Sequence, residues 1–238
     1  MKKLILFCFA IVLSLGLNSC GKDSSSSDNI VVYKLPVDIA ARYVAMAFCN
    51  ASAGINLHLE NAAAFTAQGI GSFDSTFTLK KLDSAAAVKY QYQVIYTLAR
   101  LTTSPPKVTF DYTANGSFSS DAIQSQDEQS GNNWEFTTLD QSQLTVNGSG
   151  TDGGQQYALL EKVAFSSNII YTFNNVMIDK LTYMAASGTA QISIRGAGPG
   201  DVGFSYSGTL TFNGNRKAEL ILGGSTFSIS LSTGSITK

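Results

Sequence analysis

Histidine, tryptophan, cysteine and proline are all scarce in this chain of 238 residues, and each scarcity removes a class of chemistry. His58 is the only histidine, so the sequence identifies no partners with which it could build a nucleophile–histidine pair or a multi-histidine metal site. No cofactor and no metal is expected. Three cysteines (Cys8, Cys20 and Cys49) are too few for a disulfide framework. Charged residues make up 14% of the chain, and the basic ones stand singly apart from Lys2-Lys3, Lys80-Lys81 and Arg216-Lys217. Nucleic acid or an acidic membrane surface would need a basic patch, so neither is an expected partner. Long hydrophobic runs are missing as well: the longest, Leu4 to Leu17, is 14 residues, whereas a spanning helix takes about 20.

That short run is the most informative stretch. Lys2 and Lys3 precede it, and small residues follow at Ser19 and Gly21, the layout of a secretory signal. Leu17-Asn18-Ser19-Cys20 resembles the lipobox of bacterial lipoproteins: an aliphatic residue, a tolerant position, a small residue, then cysteine. The resemblance implies cleavage before Cys20 and a diacylglycerol on its sulfur, so that residues 1–19 are a signal peptide and the mature chain is held to a membrane through Cys20. Each buried CH₂ contributes roughly 0.8 kcal/mol, so one acyl chain holds marginally and two or three hold stably. Residues 20–29 carry Lys22-Asp23 and a serine run with nothing apolar to bury, which reads as a flexible tether. Lys22-Asp23 is similar to part of the charged export signal of Bacteroidota surface lipoproteins. Gly21, not aspartate, follows the cysteine, so the expected location is the outer membrane, on its periplasmic or its cell-surface side.

Loss of residues 1–19 leaves 219 and takes the basic side chains from 16 to 14 against 17 acidic ones, a net charge near −3. Cys49 is then the one cysteine without a lipid, and an apolar helical pattern around it predicts a buried, inert thiol. Residues 30–70 are read as a short strand, Ile30–Tyr33, followed by helical segments. Pro36 opens a face of Val37, Ala40, Ala41, Val44 and Phe48 at spacings of three and four, and Asn61–Gln68 adds one or two further turns.

From Phe73 the period becomes two, and residues 71–238 are read as one antiparallel β domain packed with that helix. Val88, Tyr90, Tyr92, Val94, Tyr96 and Leu98 share one strand face, and Val202, Phe204, Tyr206, Leu210 and Phe212 share another. Asn115-Gly116, Asn147–Gly154, Asn174-Asn175 and Gly196–Gly200 are read as turns, and the polar stretch Ser119–Asn133 as a mobile connection. The fold class is mainly β: about ten strands in a large antiparallel meander with a short N-terminal helical segment. A sheet of that size curls or splits, giving a barrel-like form or a sandwich.

Few residues point to chemistry. Asp127-Glu128, Glu135, Asp140 and Glu161 could supply the paired carboxylates of a glycosidase, with Trp134 as a sugar platform. Trp134, Tyr92 and Tyr96 are the candidate ligand-binding aromatics, although alternating strand aromatics more often belong to a core. Gly148–Asp152 matches a fragment of a calcium-binding repeat that occurs once, where several stacked copies would be needed. Asp74-Ser75-Thr76 and Asp83-Ser84-Ala85 resemble the O-glycosylation sites of Bacteroidota exported proteins, implying sugars on Ser75 and Ser84. The leading functional reading is a non-catalytic binding or structural protein of the cell envelope, with a glycan, a protein or a lipid as ligand. The alternatives are a carrier holding an apolar ligand between curled sheet and helix, and a glycan-acting hydrolase.

Overall fold

The computed structural model describes residues 34–238; the signal peptide, Cys20, the tether and the expected strand Ile30–Tyr33 lie outside them. Two helices come first, α1 (Val37–Phe48) and α2 (Ile55–Ala67), joined through a 3₁₀ turn at Asn50–Ser52. Pro36 is the N-cap of α1, and its carbonyl accepts from the amides of Ile39 and Ala40. Nine of the twelve α1 residues are buried, four of them alanines, which lets the backbone lie close to its neighbours. The second helix starts six residues before the expected Asn61, because buried polar groups (Asn56, His58, Glu60) mark its inner side where aliphatics would be sought.

Eleven antiparallel strands follow in sequence order and form a single sheet: β1 (Phe73–Lys81), β2 (Lys89–Leu101), β3 (Lys107–Ser119), β4 (Ile123–Thr137), β5 (Gln143–Ala158), β6 (Val163–Asp179), β7 (Ala185–Ala197), β8 (Gly203–Phe212), β9 (Lys217–Leu222), β10 (Ser225–Ser230) and β11 (Ile236–Thr237). Its end strands do not pair with each other, so the sheet is a curled, open meander and not a closed barrel or a two-sheet sandwich. The helices lie on its inner face and touch it all round: Tyr43 reaches Phe165 on β6, Phe48 reaches Tyr171, His58 stacks on Tyr112 of β3, and Glu60 takes Arg216 between β8 and β9. At the far end Arg100 of β2 donates to the carbonyls of Phe65 and Thr66, closing the C-terminus of α2. Among the described residues no helix is long and apolar enough to cross a membrane.

The longest strands run through three stretches where the sequence predicts turns or mobility. Ser119–Asn133 is largely β4, Asn147–Gly154 lies inside β5, and Asn115-Gly116 lies inside β3. Asn174-Asn175 is a bulge within β6 and not a reversal. The reason is common to β4 and β5: their inward positions hold Ser125, Asp127, Gln129, Gly131, Gly150, Asp152 and Gln156, so the alternation is present without being apolar. Gly196–Gly200 does turn the chain, between β7 and β8. Hydrophobic alternation over β2, β8, β9 and β10 faces inward as expected.

Glycine on the inner face makes room for aromatic rings. A methyl group at Gly150 would run into the Tyr171 hydroxyl and the Ser130 carbonyl, and one at Gly131 would meet Tyr112 and Trp134. The Gly150→Ala protein is expected to lose on the order of 1–3 kcal/mol of stability in chemical denaturation, from overpacking. Gly71, which has open space around it, is the control, and Gly71→Ala should stay within about 0.5 kcal/mol of the parent.

Candidate functional site

A polar patch sits in the middle of this core, where β4 and β5 pair. Ser125 faces Gln156, Asp127 faces Gly154, and Gln129 faces Asp152 across the two strands, all six pointing inward. Asp127 and Asp152 are therefore diagonal neighbours, and their carboxyl groups lie within hydrogen-bonding reach of each other. Tyr43 from α1 donates its hydroxyl to Asp152 Oδ1 at 2.7 Å, and Tyr92 from β2 donates to Asp127 Oδ1 at 2.7 Å. Gln156 Nε2 donates to the Tyr43 oxygen at 3.0 Å, and Ser167 from β6 donates to Gln156 Oε1 at 2.9 Å. Solvent does not reach the pair, since Asp127 is 4% exposed and Asp152 0%.

The second oxygen of each carboxyl, Asp127 Oδ2 and Asp152 Oδ2, has no conventional partner. Two ionised carboxylates side by side in an apolar core would carry a charge of −2 with no cation beside them. Retaining a proton on the pair removes one of the two charges and lets one carboxyl donate to the other. Burial pushes both carboxyls up from the ordinary value, and the neighbouring Asp127 carboxylate pushes Asp152 further. His58, also wholly buried, supplies no compensating charge: burial lowers it to about 3, so it is neutral. Its Nδ1 meets the Tyr96 hydroxyl at 2.8 Å, and its ring stacks on Tyr112 at 4.1 Å. The amide of Gln129 sits among His58, Tyr92 and Asp127 with neither polar atom conventionally paired.

No family model, no curated protein and no solved structure matches this chain. The site is therefore read from its own geometry.

The acidic residues marked by the sequence are not brought together. Glu128 points out of the face opposite Asp127, Glu135 pairs with Lys107 at 2.6 Å, Glu161 pairs with Arg42 at 3.0 Å, and Asp140 lies in the exposed loop between β4 and β5. Asp127 alone joins a carboxyl pair, and its partner, Asp152, comes from the stretch expected to be a turn. Trp134 is no sugar platform: it is wholly buried, donates its indole N–H to the Ser149 carbonyl at 3.0 Å, and packs against Phe110, Tyr112 and Phe173. Tyr92 and Tyr96 are likewise core residues, so none of the three aromatics lines an open surface. Cys49 is buried beside Ser52, with its thiol pushed up by burial. Ser75 lies on the edge strand β1 and Ser84 in the exposed loop after it. Among the described residues no group of three His, Cys, Asp or Glu side chains is placed to hold a metal ion.

Sequence reasoning misses Tyr43 and Gln129 entirely. For Gln129 the signal that could have found it is parity: Ile123, Ser125, Asp127, Gln129 and Gly131 alternate with Gln124, Gln126, Glu128 and Ser130, a strand whose buried side happens to be polar. Tyr43, on an apolar helix, carries no such signal.

Acids that hold protons better when folded contribute stability at low pH and lose it as pH rises through their folded values. His58 acts in the opposite sense, but only below its ordinary value of 6.5. Between about pH 6.5 and 8.5 the carboxyl pair therefore governs the slope, and the melting temperature is expected to fall. The Asp152→Asn protein, which keeps the shape and needs no proton, should show a flatter profile and match or exceed the parent at the alkaline end. Removing the Tyr43 hydroxyl with Tyr43→Phe should cost about 1–3 kcal/mol, measured by urea unfolding, because Asp152 loses its only donor outside the pair.

Proposed function

We propose that this chain is a lipid-anchored protein of the outer membrane with a non-catalytic binding or structural role, its sheet held away from the bilayer by the tether at residues 20–29. The observation that carries the non-catalytic part is the sealing of Asp127 and Asp152: the one carboxyl pair formed by the described residues is enclosed by Tyr43, Tyr92 and Gln156, leaving a substrate no approach. The anchored part rests on the Leu17–Cys20 pattern and the polar run behind it.

A carrier of apolar ligands would need free volume between helices and sheet, and Tyr43, Phe48, Leu59, Tyr112, Trp134 and Tyr171 fill that space. A cavity of about 570 Å³ does open at the seam between the two edges of the sheet, lined by Arg42, Met46, Val88 and Ile236 among others. It favours a small ligand at the rim as the second reading, not a lipid enclosed in the core.

Expression in a lipoprotein-processing host with radiolabelled palmitate tests the anchor. The parent should be labelled and sediment with membranes, and Cys20→Ser should be unlabelled and released to the soluble fraction. A Cys20→Ser protein that stays equally membrane-bound would contradict the anchored reading.

A further inference from the structure

The outer face of the sheet is paved with uncharged polar side chains, and one band of it differs from the rest. Three shallow depressions, of about 440, 300 and 500 Å³, lie end to end across β2 to β8. The first is lined by Gln91, Gln93, Asn115 and Gln126, the second by Glu128, Ser130, Thr151 and Asn168, and the third by Ser166, Asn168 and Arg195. Pairing register makes the band continuous: Gln93, Asn115, Glu128, Gly153, Asn168 and Arg195 are successive cross-strand neighbours. A second row of Gln91, Ser117, Gln126, Gln155 and Ser166 runs beside it. Gly153 has no side chain at the middle of the first row, and the Asn168 carboxamide lies over it.

Elsewhere on this face several polar side chains bond one another. Asn147 bonds Asn175, Thr209 bonds Gln191, and Lys107 bonds Glu135. In the band the amides of Gln91, Asn115, Gln126, Gln155 and Asn168 make no side-chain hydrogen bond to any described residue, although Gln93 accepts from Thr78 and Ser130 meets Thr151. Each free amide offers two donors and an acceptor along one track. Five inter-strand spacings of roughly 4.8 Å, from Gln93 on β2 to Arg195 on β7, give the track a length of about 24 Å.

We propose that this band binds an extended, neutral glycan, the ligand of the envelope-binding role set out above, on which the inference rests. Sugar hydroxyls both donate and accept, so an array of free amides and hydroxyls matches them at many points. Charge points the same way: the single acid, Glu128, is balanced by the single base, Arg195, so the track favours neither an anionic nor a cationic polymer. A protein partner would call for aromatic or aliphatic anchors at the centre. The exposed aliphatics of the neighbouring row, Ile95 and Ile170, stand apart, with Thr113, Ser130 and Thr151 between them.

The test is affinity electrophoresis of the full chain in mild detergent through gels containing dextran, yeast α-mannan or mixed-linkage β-glucan, with heparin as the acidic control. At least one neutral polysaccharide should retard the protein while heparin does not. The double variant Asn115→Ala/Asn168→Ala should bind at least tenfold more weakly with an unchanged circular dichroism spectrum and melting temperature, and Ser228→Ala on β10 should bind as the parent does. Absence of retardation by all three neutral polymers, stronger retardation by heparin, or a double variant that binds as tightly as the parent would each overturn the proposal. Palmitate labelling of the same preparation reads the anchor independently, so a failed glycan site and a failed anchor are told apart.

Discussion

Two carboxyl groups buried side by side set the terms for this fold. An open sheet of eleven strands has an inner face that must be covered from within, and two short helices do the covering. The Tyr43–Asp152 bond joins α1 to β5, and the Tyr92–Asp127 bond joins β2 to β4, so the polar patch links elements far apart in the chain. Apolar packing alone gives little directional preference, whereas the Tyr43 hydroxyl leaves Asp152 short of its donor if the helix slides or rotates. Glu60 supplies a second polar tie, held by Arg216 through two 2.8 Å bonds and by Asn50 and Asn56 within the helical segment.

The same arrangement separates the molecule into a sealed interior and an accessible exterior with different chemistry. Inside are most of the aromatic rings, the lone histidine, the described cysteine and the Asp127–Asp152 pair. Outside are rows of serine, threonine, asparagine and glutamine in strand register. Groups that would suggest catalysis if exposed are consumed in holding the core, and the proposed binding role therefore points to the outer face.

How far the residues alone reveal this depends on what occupies the buried side of each strand. Over β2 and β8 to β10 the inward positions are Tyr, Val, Leu, Phe and Ile, so period-two hydrophobicity is plain and the meander is legible. Through the middle of β4 and β5 they are Ser, Asp, Gln and Gly, and of the glycines there Gly131, Gly148 and Gly150 are approached closely by aromatic rings. Strands β4 and β5 thus hide where the core is most polar. Asp127 can be picked out as an acid, but its pairing with Asp152 needs a register that only the folded sheet supplies. Tyr43 is visible as one more residue on an apolar helix, and its hydroxyl acquires meaning only through what lies opposite.

The account stands or falls on whether the core retains a proton at neutral pH. Infrared spectroscopy in the carbonyl region reads this directly, because a protonated carboxyl absorbs apart from carboxylates and shifts in heavy water. At pH 7 the parent should show such a band, and an Asp127→Asn/Asp152→Asn double variant should lack it. A parent spectrum with carboxylate bands alone would contradict the shared proton and with it the reason these two acids can lie sealed together.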